Sequence, residues 1–238
     1  MSNDILATEY IRALENFKSK IRPFAIKRQG ANYNDKGLNE KFSSATAIRE
    51  SLKKGDIPQI QPFIPSGSQP YFDIIKFDED FFELIKYAIL SKKDRLSEIF
   101  EVGEGLENRI LSKIEESKDM ENLIKNIKSK RYTYTRIRRI LFNILLDIKK
   151  ADVEEIKRRN FYIPYVRVLA FNDRGREVLK EIKKIANIKI INKVANHSIQ
   201  EPYEKMLFEK DILATKIYNI SKKSSYSDDY KATPIYVK

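Results

Sequence analysis

Apolar and polar positions in the first part of the chain predict a helix, a strand and a second helix. The earliest apolar side chains recur at helical spacing and predict an amphipathic helix that begins at Ser2 or Asn3. Residues 23–27 predict a short strand, and Ala45 begins another helix that ends near Gly55. Because one strand cannot form a sheet, we expect the strands that would precede it in an α/β unit to be missing from this sequence.

A proline-rich segment divides the chain. Four of the eight prolines, together with Gly67, fall within residues 55–70. Proline lacks the amide hydrogen that a helix interior needs, so this segment cannot form a regular helix. We interpret residues 55–70 as a linker between a first unit at 1–54 and a second unit at 71–238.

The second unit predicts a helical domain with a small sheet. Apolar residues recur at helical spacing from Tyr71 to about Arg159. Apolar runs on either side of a helical pattern then predict a βαβ-like unit, to which the C-terminal residues could add a third strand. The predicted elements are strand 165–171, helix 175–185, strand 188–194, helix 202–220 and strand 233–237. The predicted fold class is therefore α+β and predominantly helical.

Composition excludes several kinds of chemistry. The chain has no cysteine and one histidine, His197, which excludes disulfides and thiol catalysis and makes a histidine-rich metal site or a Ser-His-Asp triad hard to build. We expect His197 to be exposed or to cap a helix. No apolar run approaches the roughly 20 residues that cross a bilayer, and the N-terminus does not resemble a signal peptide. We expect a cytoplasmic protein with no membrane partner.

Charge is unevenly distributed along the chain. The net charge is +12, which suggests a polyanionic partner. Residues 72–121 hold 8 Lys and Arg against 14 Asp and Glu, whereas residues 122–160 hold 12 against 4. This segregation favours one positively charged face directed towards nucleic acid, although two oppositely charged helices that pack together would produce it too. Glu104 or Glu107 is expected to pair with the basic segment.

The segment from Ser129 to Arg139 is the clearest candidate for an RNA-binding surface. In its helix, Tyr134 and the later apolar residues occupy the predicted core face, and Arg136 and Asn143 fall opposite with Arg139. Guanidinium groups bind phosphate with two hydrogen bonds, and an exposed tyrosine can stack on a base. The alternative is a solvated helix face with the tyrosine in the core. The candidate RNA contacts are Lys130, Arg131, Tyr132, Arg136 and Arg139.

Two segments could bind the phosphates of a nucleotide. Ser44 and Thr46 lie at the start of a predicted helix with Arg49 in its first turns, which is a suitable corner for an anion. The alternative is an ordinary capped helix. Lys27 and Arg28 follow the predicted strand, and ligands bind at the carboxyl ends of strands in open α/β sheets. The alternative there is a surface loop.

Six blocks carry a resemblance to a known family: SNDIL, IKRQGANYND, SSATAIRE, VGEGLENRI, SKRYTYTRIRRILFNILL and VLAFNDRGREVLKEIK. Together, over nearly the whole chain, they resemble the bacterial tRNA(Met) cytidine acetate ligases. The resemblance implies that residues 1–54 are the C-terminal part of a Rossmann-like nucleotidyltransferase domain, followed by an RNA-binding domain. It also implies that ATP, with Mg²⁺, activates acetate to acetyl-adenylate, and that the acetyl group passes to the wobble cytidine of elongator tRNA(Met).

The resemblance also implies roles for individual residues in binding ATP. Asn3 is similar to an ATP-contacting asparagine of the family, and Arg28, with Lys27 beside it, resembles an ATP-contacting basic residue. The predicted anion-binding corner at the start of the second helix resembles the second phosphate-binding signature of the nucleotidylyltransferases. Which of its two hydroxyls would bind phosphate stays open. The residues that it implies for the corner are Ser44, Thr46 and Arg49.

The sequence departs from the family pattern at three places. The family's N-terminal block, of the type Asn-Pro-Phe-His-x-Gly-His, has no counterpart, while Ala7 and Asn34 replace a usual glycine and a common histidine. Since the histidines of that block would stabilise the reacting phosphate, we expect this chain alone to bind tRNA without completing adenylation. A non-catalytic RNA-binding module and a protein-interaction scaffold are the alternatives.

Overall fold

The computed structural model describes residues 2–26, 38, 43–222 and 229–237. The predicted fold class is confirmed: these residues are mostly helical and form two small parallel sheets. The chain divides into two compact units, Met1–Asp73 and Ile74–Lys238. Within the described ranges, no helix is both long enough and apolar enough to cross a membrane.

The described residues of the first unit form three α-helices: α1 Ser2–Asn16, α2 Ala45–Lys54 and α3 Ile57–Ile60. Gly55 ends α2 in the left-handed conformation, with φ of +78°, which glycine adopts at little cost. The prediction that residues 55–70 contain no helix is wrong at α3, because a proline in the first turn of a helix lacks only an amide hydrogen that would have no partner there. Two 3₁₀ helices follow at Gln61–Phe63 and Ser66–Ile74.

The segment after α1 is not the strand that its apolar pattern predicts. Residues 21–26 have no regular secondary structure, and Phe24 and Ile26 are more than 80% exposed. A strand needs a neighbour for its backbone hydrogen bonds, and the described residues of the first unit provide none. Tyr10, on the apolar face of α1, and Phe17, the residue after the helix, are exposed as well.

The second unit is built on a helical core. Helices α4 to α7 surround it, and α4 packs against both α5 and α7, while α6 packs against α5 and α7. Buried Ile, Leu and Phe side chains at the predicted helical spacing fill this core. The helices are α4 Phe82–Ser91, α5 Leu106–Ile114, α6 Met120–Ile127, α7 Tyr134–Leu145 and α8 Lys150–Arg158, with 3₁₀ helices at Asp78–Phe81 and Lys93–Glu98.

Two pairs of short parallel strands follow the helical core. The run at 165–171 divides into two strands, so the prediction of one continuous strand is wrong. The first pairs with the strand after α9 and forms the expected βαβ unit, whereas the second pairs with the C-terminal strand in a separate sheet. The elements are β1 Tyr165–Arg167, β2 Ala170–Phe171, α9 Asp173–Ile185, β3 Lys189–Ile191, α10 Pro202–Lys222 and β4 Ile235–Tyr236, with a 3₁₀ turn at Val194–Asn196.

Candidate functional site

The arginines of α7 are held in ion pairs with the acidic segment that precedes them in the chain. Arg138 Nη2 donates to Asp78 Oδ1 at 2.7 Å. Arg139 donates from Nε and Nη2 to the two carboxylate oxygens of Glu101 at 2.7 and 2.8 Å. Arg136 Nε lies 3.5 Å from the same carboxylate. The acidic and basic segments therefore neutralise one another at these positions, which is the alternative to a directed positive face.

Residues just before α7 show the same arrangement. Arg131 forms an ion pair with Glu104, which confirms the expectation that Glu104 or Glu107 pairs with the basic segment. Glu107 is different, because its Oε2 is buried and has no hydrogen-bond partner in the described parts of the chain. Lys130 is exposed. Of the four predicted cationic RNA contacts, three lie against carboxylates.

The carboxylate of Glu101 is the centre of this cluster. Hydrogen bonds from Arg139 lower the pKa of Glu101, and their effect exceeds that of burial, which acts in the opposite direction. In turn, the hydrogen bond to Asp78 raises the pKa of Arg138. Glu101 should therefore be ionised at neutral pH, and RNA phosphates would compete with its carboxylate for the guanidinium groups.

Tyr132 is buried, and the prediction that it is exposed for stacking is wrong. Its hydroxyl donates a hydrogen bond to the carbonyl oxygen of Gly103 at 3.0 Å. The guanidinium carbon of Arg136 lies 4.8 Å from the centre of its ring and covers one face. Only 9% of the residue is exposed, so the ring has no face available to a base.

Two further positions on α7 differ from the predicted helix faces. Asn143 is buried, and its side-chain amide donates a hydrogen bond to the carbonyl oxygen of Phe100 at 3.4 Å. Tyr134 is 39% exposed at the first turn of the helix, where the core no longer covers it. The other predicted core positions of α7 are buried as expected: Ile137, Ile140, Leu141, Ile144 and Leu145.

The predicted phosphate-binding corner has the geometry of a capped helix. Ser44 is buried, and its Oγ accepts a hydrogen bond from the amide of Ala47 at 3.0 Å. Arg49 is exposed, and Thr46 is half-buried. The predicted ATP contacts Lys27 and Arg28, and the side chain of Asn3, lie outside the described residues.

The structure brings together a buried group that the sequence did not predict. Glu204 is 1% exposed, and its carboxylate lies 2.7 Å from His197 Nε2 and also pairs with Lys189. Of the two expectations for His197, exposure is wrong, since its side chain is about nine-tenths buried against Phe208. Capping is confirmed, because its backbone amide caps the 3₁₀ turn Val194–Asn196 by donating to the carbonyl oxygen of Val194. Glu204 lies in α10, Lys189 in β3 and His197 in the loop between them, so the periodicity of any single element gave no signal of this cluster.

A second group surrounds Arg167 at the end of β1. Its guanidinium pairs with Asp229 and lies 3.7 Å from Asp211 Oδ2. The hydroxyl of Tyr165 donates to Asp211 at 3.2 Å, and burial raises the pKa of Tyr165, with the negative charge of Asp211 adding to the effect. Nothing in the sequence pattern had distinguished these residues as a group.

A resident metal ion has no evident set of ligands in the part of the chain that the structure describes. No group of three or more His, Asp and Glu side chains there could hold one. The expected Mg²⁺ therefore stays a prediction, as an ion that would arrive with ATP.

Comparisons with known proteins agree with the resemblance. The chain is 41% identical to a tRNA(Met) cytidine acetate ligase of Clostridium perfringens over 98% of its own length, and 38% identical to one of a Thermoanaerobacter species over 94%. It spans 57% and 56% of those proteins. The comparisons bear out neither the absence of an N-terminal block nor the inactivity of this chain, and both stay predictions.

Solved structures and a family model give the same result. A crystal structure of Thermotoga maritima TmcAL matches 99% of this chain with a TM-score of 0.88 at 26% identity. Another, bound with alpha-thio ATP, matches all of it with a TM-score of 0.85 at 25% identity. In both cases the match covers 60% of the solved chain. The model of the HIGH Nucleotidyl Transferase family matches residues 1–233, and the chain belongs to this family.

Proposed function

We propose that this chain takes part in the ATP-dependent acetylation of the wobble cytidine of tRNA(Met). The observation that carries the proposal is the 41% identity, over 98% of the chain, to a relative named for that reaction. A neighbour of the same fold was solved with an ATP analogue, which supports ATP as the nucleotide. The chain spans less than two thirds of the length of these proteins. That it takes part in the whole reaction is therefore proposed from the matched portion.

The proposed chemistry has two steps. A carboxylate oxygen of acetate attacks the α-phosphate of ATP, which forms acetyl-adenylate and releases pyrophosphate. The exocyclic amine of cytidine then attacks the acetyl carbon, loses a proton and displaces AMP. Negative charge develops on phosphate oxygens in the first step, and cations or helix N-termini directed at them would stabilise it.

The start of α2 would supply part of the nucleotide site. Backbone amides at the start of a helix attract phosphate, and Arg49 is exposed in the second turn of α2. Ser44 Oγ accepts from Ala47 and so fixes the first turn, which does not prevent its hydroxyl from donating to a phosphate; Ser44, Thr46 and Arg49 all stay proposed phosphate contacts. Asn3, Lys27 and Arg28 stay proposed ATP contacts by resemblance.

The start of α7 would hold the tRNA backbone. Lys130 is exposed, and Arg131, Arg136 and Arg139 retain exposed side-chain surface despite their carboxylate partners. Tyr132 would act indirectly, since its ring supports the guanidinium of Arg136. Each of these arginines has N–H groups beyond those that its carboxylate partner accepts, and these groups can donate to phosphate.

Binding of tRNA(Met) at two salt concentrations tests the proposal. The R136Q/R139Q double variant should bind the tRNA at least tenfold more weakly than the wild-type chain at low salt, and the difference should narrow at high salt. The matched control is K125Q/R138Q, which removes the same charge from α6 and α7 at positions not assigned to RNA. Equal losses in both variants would show that only net charge matters, and salt-insensitive failure of the wild-type chain to bind would favour a protein scaffold.

A further inference from the structure

A small cavity lies at the carboxyl ends of β1 and β3. It has a volume of about 270 Å³ and is lined by the last residues of both strands and by the segment that leads into β4. In parallel α/β units, ligands bind at this end of the strands. Pockets for small molecules begin at about 300 Å³, so the cavity suits a single ring system better than a whole nucleotide.

Asp229, which lines this cavity, has one carboxylate oxygen without a partner among the described residues. The side chain of Asp229 is only 10% exposed; its Oδ1 pairs with Arg167, while its Oδ2 is buried and accepts no hydrogen bond from any residue that the structure describes. A buried carboxylate oxygen without a donor is costly. Within the described residues nothing supplies that donor, although the cavity beside Asp229 has room for one.

The charges around the cavity select the kind of donor. The unpartnered atom belongs to a carboxylate, and a second carboxylate, that of Asp211, also faces Arg167, so an anion such as phosphate is disfavoured beside Asp229. The walls are largely apolar and include Leu169, which is 74% exposed. Apolar walls suit the faces of a flat ring, and the free oxygen suits an amine on its edge.

We propose that this cavity binds one unpaired nucleobase of the RNA through an exocyclic amine that donates to Asp229 Oδ2. Cytosine, adenine and guanine carry such an amine, and uracil does not. Arg167, fixed by its two carboxylates, can donate to the ring nitrogen or carbonyl next to the amine. The inference rests on the proposed function for its ligand, because a tRNA offers unpaired bases in its loops.

Nucleosides test the cavity separately from tRNA. The backbone amide signals of Val168 and Asn192 in the NMR spectrum of the full chain should shift on titration with cytidine, and cytidine should bind about tenfold more tightly than uridine, the usual effect of one hydrogen bond to a charged acceptor. In Asp229→Asn the remaining oxygen stays with Arg167, an amide NH₂ faces the cavity, and the preference for cytidine should disappear. Asp211→Asn is the matched control, since Asp211 also faces Arg167 but does not line the cavity, and it should keep the preference.

A second variant covers the case in which Asp229→Asn fails to fold. Thr233→Phe fills the cavity from its exposed rim, leaves the ion pair intact, and should abolish the cytidine-induced shifts. Equal affinity for cytidine and uridine, or stronger shifts with butylammonium as a mimic of a lysine side chain, would overturn the inference. If tRNA(Met) binds but nucleosides leave both signals unchanged, the inference fails and the proposed function stands; if the wild-type chain does not bind tRNA(Met), the proposed function fails.

Discussion

At the scale of single residues, Tyr132 shows how a candidate for base stacking becomes part of the core. We expect Tyr132→Phe to lower the free energy of unfolding by about 1 kcal/mol, because the carbonyl oxygen of Gly103 loses its hydrogen bond while the ring keeps its packing. Urea denaturation measures the change. Affinity for tRNA should stay within twofold, and a loss of tRNA binding without a loss of stability would contradict the buried position.

Glu204 offers a second prediction at this scale. Glu204→Ala should lower the free energy of unfolding by about 3 kcal/mol, since it removes the carboxylate that His197 and Lys189 share in a buried site. Glu209→Ala, which removes an exposed partner of Lys205 from the same helix, should change it by less than about 0.5 kcal/mol. Similar effects of the two substitutions in thermal unfolding would refute the structural importance of the buried group.

At the scale of secondary structure elements, the start of α6 depends on a side-chain cap. Asp119 Oδ1 accepts a hydrogen bond from the amide of Asn122 at 2.7 Å. Asp119→Ala should lower the free energy of unfolding by about 1 kcal/mol, because a helical amide loses its acceptor. Asp119→Asn should restore most of the loss, since asparagine caps helices as well as aspartate does. If both substitutions cost the same in chemical denaturation, the negative charge matters more than the hydrogen bond.

The contact between Glu101 and α7 gives a prediction about pH. Folding lowers the pKa of Glu101 below its ordinary value of 4.5, mainly through hydrogen bonds from Arg139. This stabilisation is complete above pH 4.5 and disappears as the pH falls through the lower folded value. Glu101→Gln should therefore be less stable than the wild-type chain by about 1 kcal/mol at neutral pH, and the difference should vanish in acid. A difference in unfolding free energy that persists at pH 2 would contradict it.

In the second unit, helical spacing predicted which residues form helices and which face the core. It did not predict the contacts between segments that are distant in sequence. The positions from Ile137 to Ile144 that the pattern assigned to the core are buried, because an apolar face has one physical solution in a helical domain. Asn143 could not be placed, because its partner is Phe100, 43 residues earlier in the chain. The cavity beside Asp229 was equally hidden, since its walls come from three segments that only the fold brings together.

At the scale of the whole molecule, the net charge of +12 overstates the cationic surface. The acidic segment between residues 78 and 104 occupies guanidinium groups that would otherwise face solvent. The predicted tRNA surface thus contains an internal competitor for phosphate. An RNA that binds there must share or displace those carboxylates, which lowers its affinity and makes binding of the wrong polyanion less favourable.

This competition predicts a substitution that strengthens RNA binding. Glu101→Gln releases Arg136 and Arg139 from their shared carboxylate, so the affinity for tRNA(Met) at low salt should rise severalfold. The slope of log affinity against log salt should steepen by about 1 for each additional phosphate that the released arginines neutralise. Glu116→Gln is the control, because it makes the same charge change at an exposed ion pair. Its partner is Lys113 on α5 rather than on α7, so the slope should stay unchanged. Equal increases in affinity from both substitutions would mean that tRNA responds to total charge and that α7 is not its binding surface.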